Sequence, residues 1–457
     1  MAENRLRRRI CALALALGAC ILGPLAAIAA AGSPPARSGG AGLVTTSSRG
    51  HTITTGTTRV SVTSPTGTGT APAPGPGAGT TTSACSEPAV GTVTGPITST
   101  TPSGSVGSGT CVVAPPPPIP APKGSPFARR GMWIWELPAT DGGNLSAIIA
   151  QARQLGIGTL FIKSGDGTGM WSQFTPALVD QIHAAGLHVC AWQYVYGISP
   201  VTEADVGIQA VHDGADCLVI DAETEYQDRY VQAQQYMGTL RAHLGSGYPI
   251  GLAGFPYVDY HPTFPYSVFL GPNGAQFNLP QMYWQDIGTS VDAVYAHTFA
   301  FNELYQRPID PLGQLYNSPP ISAVRRFRSV SMAYRTNSVS WWDWQSAGRT
   351  QLSAIAIRTG PLPGFQPDTT VASLARGAVG DLVVLAQEHL WNTPERVTID
   401  GSYGAATQAA VSAFQSQVGL PVSGIITPQT WTALLKVPLP HVLWRARGHS
   451  VVAVIRP

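Results

Sequence analysis

The chain has 457 residues, room for two or three domains of ordinary size. Only 11% of them are charged and the net charge is +2, which supplies no electrostatic footprint for nucleic acid. Its 50 Gly and 39 Pro make up about 19% of the sequence, against roughly 12% in average usage, while 11 Trp and 15 Tyr exclude a wholly disordered chain.

At the N-terminus, Arg5, Arg7, Arg8 and Arg9 precede an apolar run from Ile10 to Ala31. Ala27-Ile28-Ala29 and Ala29-Ala30-Ala31 offer the small-x-small pattern of a cleavage site, so residues 1–31 read as an export signal and the mature protein as secreted. Two alternatives would leave the chain on a membrane: an uncut apolar anchor, or lipidation of Cys20 in Leu17-Gly18-Ala19-Cys20, which resembles a lipobox. From Gly32 to Pro126, 66 of 95 residues are Gly, Pro, Ser or Thr, with no aromatic residue and one acid, Glu87. Such a segment cannot bury enough apolar surface to offset its ordering entropy, and it reads as a disordered stalk over 32–126. Cys85 and Cys111 are its two cysteines; export favours a disulfide between them, with free or intermolecular thiols as the alternative.

From Gly131 onward, short apolar runs alternate with amphipathic stretches. The predicted strands are 131–136, 159–164, 188–197, 217–223, 249–255, 279–284, a weak 307–312 and 340–345. Helical spacing falls on 145–155, 176–185, 203–213, 227–244, 291–305 and 321–334. A fifth helix over 260–270 is broken by Pro262 and Pro265. Eight such units over 127–358 predict an α/β fold, a (β/α)8 TIM barrel, with an open doubly wound sheet as the alternative. Cys190 and Cys217 begin neighbouring strands away from the chemical end, where they are expected buried or bridged.

A barrel carries its chemistry at the C-terminal ends of its strands. Those ends hold Glu136, Lys163 with Asp166, Tyr194, Tyr196, Asp221, Glu223, Tyr257, Gln281, Tyr283, Gln285, Trp342 and Trp344. Aromatic faces suit sugar rings, and amides and acids suit hydroxyls, so Tyr194, Tyr196, Tyr257, Gln281, Tyr283, Gln285, Trp342 and Trp344 are the substrate-binding candidates. In LVIDAETE, Asp221 and Glu223 lie two apart on a strand and leave the same face. Two carboxylates at a low-dielectric mouth repel, one pKa rises, and the pair acquires the separate roles that glycosidic cleavage needs. Glu223, nearer the rim, is the expected proton donor, Asp221 its partner, and Glu225 a reserve.

A barrel whose fourth strand ends in D-x-E resembles the family-25 lysozymes, which are N-acetylmuramidases. FIKSGDG (161–167) is similar to their second-strand motif, and Trp344-Gln345 to their last-strand Trp-Gln. The chain departs from them at strand one, where WIWEL carries Glu136 in place of an Asp, and around Asp166, where their glutamate is replaced. The resemblance therefore implies catalytic roles for Asp221 and Glu223, with Glu136 as a weaker analogue. Family-18 chitinase-like barrels share the D-x-E, but their fuller D-x-x-D-x-D-x-E pattern is absent.

After a linker over 359–373, residues 374–437 resemble the peptidoglycan-binding domain 1 family, a small three-helix module. The matching positions include Gly377, Gly380, Val383, Gln387, Leu390, Asp400-Gly401, Tyr403-Gly404, Thr407, Val411, Phe414-Gln415, Gly419-Leu420, Gly424 and Thr427. The resemblance implies peptidoglycan, or another wall glycan, as partner; ligand contacts are expected among exposed polar groups near Tyr403 and Gln415. The tail over 438–457 is apolar and basic, with no functional reading. No H-E-x-x-H, nucleophile elbow or phosphate loop is present, so no metal or cofactor is expected. The sequence leaves two functions: an exported, tethered hydrolase of wall glycan, or a non-catalytic protein whose barrel holds glycan without cutting it.

Overall fold

The computed structural model describes Pro120, residues 122–447 and residues 450–455. The export signal and the Cys85–Cys111 pairing lie outside the described residues. Among those described, no helix is long and apolar enough to cross a membrane.

The strands β1 (Gly131–Ile134), β2 (Thr159–Asp166), β3 (Gly169–Met170), β4 (His188–Val195), β5 (Cys217–Ala222), β6 (Ile250–Ala253), β7 (Phe277–Asn278), β8 (Gln281–Met282), β9 (Leu312–Gln314) and β10 (Ser340–Trp342) form one sheet. The path β7-β6-β5-β4-β2-β1-β10-β9-β8 is parallel throughout; only β3 is antiparallel, folding back on the end of β2. Its first and last members are halves of one barrel strand, interrupted at Pro280, which has no N–H to donate. Leu279 and Gln281 still donate to the carbonyls of Leu252 and Gly254, and Leu312 donates to Pro280, so the sheet closes into the expected (β/α)8 barrel.

Outside the sheet lie α1 (Leu145–Leu155), α2 (Pro176–Ala184), α3 (Pro200–His212), α4 (Tyr230–Leu244), α5 (Tyr266–Phe269), α6 (Trp284–Ile287), α7 (Val291–Asn302), α8 (Ile321–Ala333) and α9 (Arg349–Ala356). Their starts are legible locally: Asn144, Thr175 and Ser290 each accept the backbone N–H three residues on, and Pro176 and Pro200 occupy first-turn positions that need no donor. The fifth unit keeps only the four-residue α5, as Pro262 and Pro265 imply. The seventh strand lies later than expected, because Pro308 and Pro311 leave only a bridge at Ile309 before β9. Helix α9 has no counterpart in the sequence reading; its eight residues run straight into a Gly/Pro-bearing segment.

Inward-facing residues fill the barrel in layers. Trp133, Phe161, Trp192, Val219, Leu279 and Leu312 pack together, and Phe127 closes the N-terminal end by stacking on Phe277 at 4.3 Å. Cys190 and Cys217, directly opposed on β4 and β5, form a disulfide inside this core.

The C-terminal module contributes α10 (Asp381–Trp391), α11 (Ala405–Gln417) and α12 (Pro428–Leu434), and the tail contributes an antiparallel hairpin, β11 (Val442–Arg447) and β12 (Ser450–Ile455). The intervening segment lies along the barrel, with Ala372 N–H donating to Ala300 and Tyr334 bonding the backbone of Asp368.

Candidate active site and wall-binding domain

At the end of β5, alternation turns Val219 and Asp221 into the barrel, and Glu223 continues on the same side one step past the strand. Both carboxyls are buried, 7% and 8% exposed. From the facing barrel strand, the side-chain amide of Gln281 donates to Asp221 Oδ1 and to Glu223 Oε1, each at 3.0 Å. Burial, with Glu223 next in weight, pushes Asp221 well above the usual carboxylate range, against the pull of Lys163. Burial also raises Glu223 to about 7; the Gln281 bond opposes this and Glu225 adds to it. Two such groups sharing one donor hold a proton between them near neutrality.

Around the pair the mouth is a web of aromatic rings and acids. The Tyr194 hydroxyl donates to Glu225 Oε2 at 2.7 Å, and burial, then Glu223, raises that phenol's pKa. Tyr196 donates to Asp166 Oδ1 at 2.8 Å, and the same carboxylate takes Lys163 Nζ at 2.6 Å. Lys163 also lies over Trp171, Trp192 and Trp135, at 4.5, 4.8 and 5.7 Å from the ring centroids. Trp342 packs on Trp192 and Trp135. Tyr283 packs against the barrel core and edge-on to Tyr316 at 5.5 Å, and burial, then Tyr316, Asp221 and Glu223, raise its phenol. Glu203, 1% exposed, fixes the loop carrying Tyr196 by accepting the backbone N–H groups of Tyr196, Gly197, Ile198 and Ser199.

The structure thus brings Asp221, Glu223, Gln281, Tyr194, Tyr196, Tyr283 and Trp342 to one mouth. Glu136 lies on its β1 side. Tyr257 is elsewhere, stacked on His297 of α7 at 3.8 Å. Gln285 turns outward and donates to the Asn317 carbonyl. Trp344 is buried between sheet and helices, because β10 ends at Trp342 and period-two alternation ends with it. Asp343, just past the end of β10, is 1% exposed, and burial lifts it to about 6 against the pull of Ser346; alternation gave no sign of this. Trp171 and Gln173 were also missed, for they sit on a loop where no periodicity applies. Among the described residues, no group of three His, Cys, Asp or Glu is arranged to hold a metal ion.

In the C-terminal module two glutamines brace two loops in the same way. Gln387 Oε1 accepts the N–H groups of Asp400 and Gly401 while its amide donates to Asp400 and Thr407. Gln415 Oε1 accepts from Ser423 and Gly424 while its amide donates to Ile425 and Thr430. Tyr403 is 1% exposed and donates to the Gly424 carbonyl. Tyr403 and Gln415 are therefore internal braces, and the expectation of ligand contacts rests on the exposed polar groups around them. Residues 379–434 match the family described as "Putative peptidoglycan binding domain".

Among curated proteins none matches the sequence. Among solved structures, a peptidoglycan-binding protein from Clostridioides difficile in complex with glutamine hydroxamate is 40% identical over 14% of this chain, with a TM-score of 0.14. This chain spans 40% of that protein's length. A chitinase from Chromobacterium violaceum is 9% identical over 50% of this chain and 97% of its own, TM-score 0.38. A fungal endo-beta-N-acetylglucosaminidase of glycosyl hydrolase family 18 is 12% identical over 52% and 99%, TM-score 0.36.

The peptidoglycan-binding domain is seated on the barrel through Asp381, the first residue of α10. This carboxylate is fully buried and accepts from Tyr230 Oη, Ser267 N, Ser267 Oγ and Tyr305 Oη, all at 2.8 Å. Burial lifts it to about 6, with Ser267, Tyr305 and Tyr230 pulling the other way. The β11–β12 hairpin flanks the joint, Trp444 packing on Tyr230 with ring centroids 4.3 Å apart.

Proposed function

We propose that the protein is a glycoside hydrolase of the cell wall, cleaving the glycan of peptidoglycan or a related polymer while its C-terminal domain holds the wall. The observation that carries this reading is the buried Asp221–Glu223 pair bridged by the Gln281 amide. Glu223, still protonated near neutral pH, donates to the leaving glycosidic oxygen. With the one proton the pair shares on Glu223, Asp221 is the carboxylate that stabilises the positive charge developing on the ring, until a water, giving its proton to Glu223, adds to the anomeric carbon. Since both acceptor oxygens lie 3.0 Å from one nitrogen, they are at most about 6 Å apart. That is closer than the roughly 6.5–9.5 Å that leaves room for an attacking water between carboxyls, and it favours retention of configuration. Tyr194, Tyr283 and Trp342 supply ring faces and hydroxyls to hold the sugar.

Holding the wall raises the local concentration of glycan without further contact at the mouth. The test is release of reducing ends from purified peptidoglycan by the parent, Asp221→Asn and Glu223→Gln, with folding checked for each. Loss in both variants supports the reading. Equal release by all three sinks the assignment of this pair. No release from any glycan, with wall pull-down intact, leaves a barrel that binds and does not cut.

A further inference from the structure

A cleft of about 390 Å³ opens beside the mouth, between the loop after β1 and the β2–β3 hairpin, lined by Glu136, Pro138, Met170, Trp171, Ser172 and Gln173. Its walls are pinned. Gln173 accepts from Leu137 N at 2.8 Å and donates to the carbonyls of Trp135 and Lys163, at 2.8 and 2.9 Å, tying one loop to the other. Gln345 accepts the backbone N–H groups of Trp135 and Glu136. A cleft held open this way does not spend binding energy on ordering its own loops.

The lining has a definite chemistry. Trp171 and the 39% exposed Met170 offer an apolar platform. The half-buried Glu136 carboxylate has no hydrogen-bond or ion-pair partner among the described residues and is free to accept. No basic side chain lines the cleft. The nearest cation, Lys163, is covered by rings and already ion-paired with Asp166. Resting on the reading of the mouth as a glycan site, we infer that this cleft is a sugar subsite for a neutral or amine-bearing hexosamine ring, and that it rejects rings carrying a carboxylate. Peptidoglycan alternates two hexosamines, of which only one bears a lactyl group, ending in a carboxylate or in the peptide stem. The cleft takes the other one, and so sets the register in which the glycan crosses the acid pair.

The test measures binding by titration calorimetry, using the full chain carrying Glu223→Gln so that ligand is not consumed. The probes are β-1,4-linked tetramers of N-acetylglucosamine, of glucosamine and of glucuronic acid. The first two bind and the third binds at least tenfold more weakly at low salt. Adding Trp171→Ala weakens the N-acetylglucosamine tetramer about tenfold, the upper end of an aromatic contact. Adding Glu136→Gln weakens the glucosamine tetramer and leaves the N-acetylglucosamine tetramer as it was, and raising salt to about 0.5 M does the same. Met170→Lys, on the exposed lip, raises affinity for the glucuronic acid tetramer and serves if Trp171→Ala does not fold. If these changes leave all three affinities as they were while Gln281→Leu abolishes binding, the subsite is wrong and the mouth stands. If the parent background binds no tetramer, both fall.

Discussion

Glu223→Gln has a consequence for stability that separates an acid held at a cost from one that merely packs. Burial raises the Glu223 carboxyl from 4.5 to about 7. Each pKa unit corresponds to 1.36 kcal/mol, so at pH 8 the folded protein carries an ionised Glu223 at a cost of about 3 kcal/mol relative to the unfolded chain. The amide of glutamine removes that cost and keeps the shape. The value of about 7 already includes the 3.0 Å bond from Gln281, which pulls the carboxyl down, so nothing further is subtracted for it. Asp221 also gains, because Glu223 is the second largest cause of its own raised pKa. The variant is therefore expected to be about 3 kcal/mol more stable than the parent at pH 8. For an acid raised in the folded state, the folded protein binds the extra proton between pH 4.5 and 7, so the parent's stability falls as pH rises through that window. The gap between parent and variant closes at pH 4 and below. Urea denaturation of both proteins across pH 4–8 reads this directly, and the same preparations are expected to lose wall-glycan cleavage at least a thousandfold. A variant destabilised equally at pH 4 and pH 8, or one that still cleaves, refutes the reasoning.

Gln281→Leu leaves both carboxyls without their shared donor, so both pKa values rise further; the alkaline limb of the pH–rate profile, set near 7 in the parent, moves to higher pH. Asp381→Ala strips the acceptor from four buried donors and is expected to cost about 3–5 kcal/mol, read by denaturation, and to expose the segment 359–373 to proteolysis. Replacing both Cys190 and Cys217 by Ala opens a link between residues 27 apart; chain entropy sets the loss at about 3.5 kcal/mol by urea denaturation. Glu203→Ala leaves four backbone N–H groups unpaired behind Tyr196. It is expected to raise KM through a loosened mouth and to speed hydrogen exchange over residues 196–199.

The fold was legible in this sequence because a (β/α)8 barrel writes itself in local terms. Apolar runs of strand length alternate with stretches of helical period, and prolines and caps mark the starts. Where local signals were weak the reading was too: at the seventh strand, where Pro308 and Pro311 interrupt pairing, and at α9, too short to show a period. Asp221 and Glu223 were legible for the same reason, since spacing of two on a strand fixes a shared face whatever surrounds it.

What the pair touches is a matter of contacts between residues far apart in the chain. Gln281 arrives from a strand split at Pro280 and Lys163 from β2, and only closure of the barrel brings them up to the pair. The same holds at the joint with the peptidoglycan-binding domain. Asp381 reads in the sequence as an ordinary first-turn acid, favoured at a helix N-terminus. Tertiary packing buries it among Tyr230, Ser267 and Tyr305, so that a segment with the composition of a loose linker ends in a seated domain. Periodicity and spacing report what each stretch of chain does with its own backbone; the partners that shift a pKa or seat a domain come from three-dimensional closure, which no local pattern encodes.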